Sequence, residues 1–213
     1  SNEKVIAKYF DSFIGKNLSE EWVKAGDTDK IKTDMYVRLL EFSNQAGITM
    51  EQLNKSINIL KNDSIKKYYQ DATKLELQYG GKIFETYRSH GVVHIIDVLT
   101  ETIDSLQSLK KLGININDEQ MDTAMLAAIM HDTGMSGGKQ LRLSDNELQG
   151  LSEIQITDAQ KVGDVVRESH SFNSACITLE NYQLLLEQGY SRTQIAEAAL
   201  LAFAHSKSNS GLN

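Results

Sequence analysis

The stretch Met121-Asp122-Thr123-Ala124-Met125-Leu126-Ala127-Ala128-Ile129-Met130-His131-Asp132-Thr133-Gly134 decides how this chain is read. Its helical part is apolar on nearly every side, the pattern of a buried helix rather than one that shows a face to water. The His131-Asp132 pair at its end therefore places an imidazole and a carboxylate inside the protein, where a charge needs a partner. No Lys or Arg lies close by in sequence, so either a distant cation folds onto Asp132 or a metal ion neutralises it. The remaining histidines, His90, His94, His170 and His205, all follow a stretch of 89 residues that contains none.

Working outward, the composition predicts an all-α fold. Proline is absent, Leu, Ile, Ala, Glu, Lys and Gln are abundant, and glycine supplies the punctuation. Stripes spaced by three and four residues predict helices over 3–15, from Ser19, over 29–46 with Gly47 as the stop, and from a Thr49-Gln52 capping box through Leu60. A further helix is expected from Asp63 or Ser64 to Gly80-Gly81, the seam of the chain. Beyond it the pattern predicts helices over 90–112, 118–132 and 158–187, and a last one opened by a Ser191-Gln194 capping box and ending at His205. Residues 153–157 alternate like a short strand. The Gly- and Ser-rich stretch 133–157 reads as a loop that covers a site. Residues 1–80 form an N-terminal helical extension and 81–213 the metal-binding domain.

Several classes are excluded or disfavoured at this stage. With 29 acidic against 22 basic residues and no dense basic cluster, duplex nucleic acid is not expected as a partner. No apolar run is long enough to span a membrane, and the single Cys176 suits a reducing compartment, so a cytoplasmic protein is expected. The N-terminal helices offer a surface for homo-oligomer formation.

The histidines carry the chemistry. His90 and His94 are one helical turn apart and share a face, although Gly91 between them weakens the helix there. His94 lies among Val93, Ile95 and Ile96, a setting that also fits a core histidine bonded to a backbone carbonyl. His170 sits in the polar patch Arg167-Glu168-Ser169-His170-Ser171-Phe172-Asn173-Ser174, which reads as a cavity lining or as a helix surface. His205 ends the apolar run 198–204, as His131 ends its own buried helix. Two buried helices that each finish in histidine are more than packing requires.

In this order, His94, His131-Asp132, His170 and His205, the chain resembles the HD-domain metal-dependent phosphohydrolase superfamily over about residues 82–206. The stretch His90-Gly91-Val92-Val93-His94 is similar to the family's first-ligand segment. The resemblance implies an HD-like helical bundle, with His94, His131, Asp132, His170 and His205 holding one or two divalent ions, drawn from Fe, Mn, Zn, Ni or Mg. It implies hydrolysis of a nucleotide or other small phosphate ester by a metal-activated water. Asp132, Lys139 and Arg167 are then the catalytic candidates, and His90, Lys139, Arg142 and Arg167 the groups that bind substrate. The family's closing Asp is expected a few tens of residues after the last His. No Asp follows Asp164, so the resemblance implies a ligand beyond Asn213 or a centre that lacks it. The absence of proline leaves no Gly-Tyr-Pro signature, and the cyclic-di-GMP-cleaving subgroup is not implied. Two other functions fit the same residues: a non-catalytic ligand-sensing or protein-interaction module that keeps the fold, and a di-iron oxygenase.

Overall fold

The computed structural model describes residues 28–72, 92–137 and 156–205, and the fold below refers to these. Helix makes up 83% of them and none is in a strand, which bears out the all-α expectation. In chain order the helices are α1 (Thr28–Gln45), α2 (Met50–Lys61), α3 (63–72), α4 (Val92–Lys111), α5 (Asp118–Met130), α6 (Ile156–Glu180), α7 (Tyr182–Glu187) and α8 (Arg192–Ala204). A 3-10 turn, Thr133–Ser136, follows α5.

Local chemistry sets the ends of these helices. Both expected capping boxes are present: Thr49 Oγ1 accepts from the Gln52 amide at 3.1 Å and Ser191 Oγ from the Gln194 amide at 3.1 Å, each glutamine reaching back to the cap. Asn117 and Gln120 make a third box, which opens α5. Gly47 and Gly113 end α1 and α4 at φ of 73° and 85°, a left-handed conformation in which the next amide reaches back five residues to close the helix.

The central helix is α5. It packs against α2, α4, α6 and α8, and its apolar surround follows from that position. Leu126, Ile129 and Met130 are fully buried, each contributing about 1.5–3 kcal/mol of burial. Leu39 of α1, Leu53 of α2, Ile65 of α3, Ile96 of α4 and Ala198 of α8 belong to the same buried cluster. The helices before and after residues 73–91 thus share one core. A smaller cluster joins Ala72 of α3, Met135 of the 3-10 turn and Val166 of α6.

The structure corrects several sequence-based boundaries. Asn62, not Asp63 or Ser64, caps α3, accepting from the Ser64 amide at 3.0 Å, while Asp63 pairs with Lys66. Helix α5 ends at Met130, because His131 and Asp132 turn out of it into the 3-10 turn. The single helix expected over 158–187 breaks at Asn181, whose side-chain amide donates to the Ile177 carbonyl at 2.8 Å and so competes with the backbone ladder. Ile156 and Thr157 open α6 instead of ending a strand. Of the loop expected over 133–157, Thr133–Ser136 is a buried turn against α6, and 138–155 lie outside the described residues. The helices expected over 3–15 and from Ser19, the Gly80-Gly81 seam and the segment 82–90 also lie outside them. No helix among the described residues is long and apolar enough to cross a membrane.

Candidate metal centre

Asp132 sits just past α5 with its side chain only 3% exposed, and imidazoles from three helices and the α5 end surround it. His94 Nε2 and His131 Nε2 both lie 3.1 Å from Oδ2. On the other side, His205 Nε2 lies 3.5 Å and His170 Nε2 3.8 Å from Oδ1. The carboxylate thus separates two sets of three donors, His94-His131-Asp132 and Asp132-His170-His205, and each set has its ligand atoms within 4.8 Å of one another. The His131 and His205 rings meet edge to face at 5.1 Å, which closes the circle between the sets.

The helix ends explain how these rings are aimed. The last carbonyls of a helix lack amide partners, and a histidine there can supply one. His131 and His205 are the C-cap residues of α5 and α8, and their Nδ1 atoms meet the carbonyls of Ala128 (2.7 Å) and Ala202. His170, within α6, meets the Arg167 carbonyl in the same way at 2.5 Å. A carbonyl only accepts, so in all three rings Nδ1 carries the hydrogen and, in the neutral ring, Nε2 presents a bare lone pair. Backbone contacts of this kind orient imidazole ligands and raise their basicity.

All of these lone pairs point at one another. His170 Nε2 and His205 Nε2 are 2.8 Å apart, and both face carboxylate oxygens that also only accept. Such an arrangement is repulsive unless something positive stands within it. Protons alone would have to gather several imidazolium ions around a single carboxylate. A divalent ion in each set uses every donor at once. For bonds of about 2.0–2.1 Å, ligands at right angles lie about 3 Å apart, the separation seen in the first set. Among the described residues the groups that face Asp132 are the four imidazoles. The donor set of imidazole and carboxylate suits Fe, Mn, Zn or Ni.

A close contact fixes the centre to α6. The Gly134 amide donates to Ser174 Oγ at 2.8 Å, and a β-carbon at Gly134 would stand 2.7 Å from the Ser174 backbone nitrogen and run into the His170 carbonyl. Only glycine lets the turn after the His-Asp pair approach the helix that carries His170.

The expected residues fall into three groups. His94, His131, Asp132, His170 and His205 come together as one cluster. Arg167 is exposed on α6, one turn before His170, and its backbone carbonyl orients that ring. His90, Lys139 and Arg142 lie outside the described residues.

Sequence reasoning missed Tyr69. This residue of α3 is fully buried, and its hydroxyl has no hydrogen-bond partner among the described residues. Burial, and then the charge of Asp132, push its phenol well above the usual tyrosine range, so it stays a neutral donor. An unmet buried hydroxyl costs about 1–3 kcal/mol, and most such groups in folded proteins find a partner. Tyr69 follows Tyr68 in a helix, and nothing in that local sequence signals an unmet buried hydroxyl. No protein-family model matches the sequence, and neither a curated protein nor a solved structure matches it.

Proposed function

We propose that this chain is a metal-dependent phosphohydrolase of the HD type, acting on a nucleotide or another phosphate ester. The observation that carries the proposal is the gathering of four imidazoles around one buried carboxylate, with three of the rings held in the tautomer that leaves Nε2 free. His94, His131 and Asp132 Oδ2 would hold one ion, and His170, His205 and Asp132 Oδ1 a second. Ions so held would lower the pKa of bound water far below that of bulk water, towards about 7, and would polarise phosphoryl oxygens.

The protein's own groups divide the remaining work. The backbone carbonyls of Ala128, Arg167 and Ala202 hold the rings in place. Met130 and Ile95, next in sequence to His131 and His94, are fully buried. His205, with its side chain 26% exposed, marks the open side through which a substrate would approach. Arg167, exposed one turn before His170 on α6, is a cation suited to a phosphate, and Lys139, Arg142 and His90 are further candidates for the same task.

The test is a panel of phosphate monoesters, diesters and nucleotides, incubated with protein loaded separately with Mn, Fe, Zn and Ni. The expected outcome is release of phosphate or alcohol that disappears on chelation and in His131→Ala. Protein that binds metal yet turns over no member of the panel would favour the sensing module. Oxygen uptake by the iron-loaded form without hydrolysis would favour the oxygenase.

A further inference from the structure

Helix α3 lies outside the span of sequence that suggested the metal centre, yet the fold brings it there. Ala72 on α3 packs with Met135, three residues after Asp132, and with Val166, one turn before His170. Tyr69 precedes Ala72 by three positions and so shares its helix face. Its ring is fully buried, its hydroxyl has no partner among the described residues, and the Asp132 carboxylate acts on it electrostatically. Both Asp132 oxygens are already faced by imidazole nitrogens.

Resting on the metal-centre reading, we propose that Tyr69 is a positioning residue of that centre, whose hydroxyl donates a hydrogen bond to the exogenous oxygen group, water or phosphate oxygen, that completes the coordination of the bound ion. A neutral donor suits an anionic or polarised oxygen, and its burial keeps competing water away from the bond. The otherwise unmatched N-terminal helices then contribute a functional group as well as core.

The experiment uses cobalt(II) as the probe on the full chain, comparing wild type with Tyr69→Phe and with Tyr68→Phe as a neighbouring control. Tyr69→Phe is expected to weaken cobalt binding by about tenfold to a hundredfold, as losses of outer-sphere partners do. It should also change the visible spectrum of the bound ion, while the metal-free protein melts at the same temperature as wild type or higher, since an unmet hydroxyl has been removed. Tyr68→Phe should leave affinity and spectrum as they were. As a check independent of how the variant folds, zinc added to wild type should perturb the near-ultraviolet tyrosine absorption. Equal cobalt affinity and spectrum in Tyr69→Phe and wild type, or a zinc-insensitive tyrosine spectrum, overturns the inference. Failure of wild type itself to bind either ion overturns the metal-centre reading instead, so the two failures are told apart.

Discussion

Two aspartates of the α5 region, Asp122 within the helix and Asp132 just past its end, have opposite surroundings. Asp122, in the first half of the helix, is met by donors from α2: Lys55 Nζ lies 3.3 Å from Oδ2 and Gln52 Nε2 3.0 Å from Oδ1. Lys55 also sits 4.0 Å over the Tyr190 ring, so the same cation serves a carboxylate and an aromatic face. Asp132, at the other end, is more deeply buried. Asp122 carries its counter-charge within the chain and is structural. Among the described residues Asp132 is faced instead by four imidazoles, groups that a metal can use.

Substitutions that break or sharpen this contrast are ordered by their expected effect on the stability of the metal-free protein, read as a shift in denaturant midpoint. Gly134→Ala should have the largest, about 3 kcal/mol, because the new methyl group meets α6 backbone that cannot yield as a side chain would. It should also weaken metal binding, by pushing Asp132 away from His170. Asp122→Ala should cost about 2 kcal/mol through loss of its charge-assisted hydrogen bonds, with metal content unchanged. If Asp122→Ala loses metal as well, the two aspartates are not functionally separate. Ser191→Ala removes a helix cap and should cost about 1 kcal/mol, without any spectroscopic effect on a bound ion. Asp132→Ala should cost least, within about 0.5 kcal/mol of wild type or more stable, since it removes a buried charge that faces the lone pairs of the surrounding imidazoles. A structural ion pair at Asp132 would instead cost about 3–5 kcal/mol.

What the sequence made legible follows from the range of the forces involved. The capping boxes at Thr49 and Ser191 are four-residue motifs whose partners are built into the same turn, and both could be read directly. The five cluster residues could be named because histidine is rare, and His94, His131 and His205 stand beside apolar runs while His170 lies in a polar patch of its helix, although their sharing of a single carboxylate could not. The Gly134-Ser174 contact spans forty residues and depends on how two helices meet. The break at Asn181 hangs on one side chain competing with a ladder that the apolar pattern continues across. Tyr69 was hidden for a different reason: a buried tyrosine looks like core until its hydroxyl is seen to lack a partner beside Asp132.

The central claim, that Asp132 and its imidazoles hold metal, is tested most directly by elemental analysis of the purified protein after exposure to Mn, Fe, Zn and Ni and removal of loose ions. Wild type and Asp122→Ala should retain at least one ion per chain. Asp132→Ala and His131→Ala should retain none while remaining folded by circular dichroism. Equal metal content in all four proteins, or none in wild type, would contradict the account.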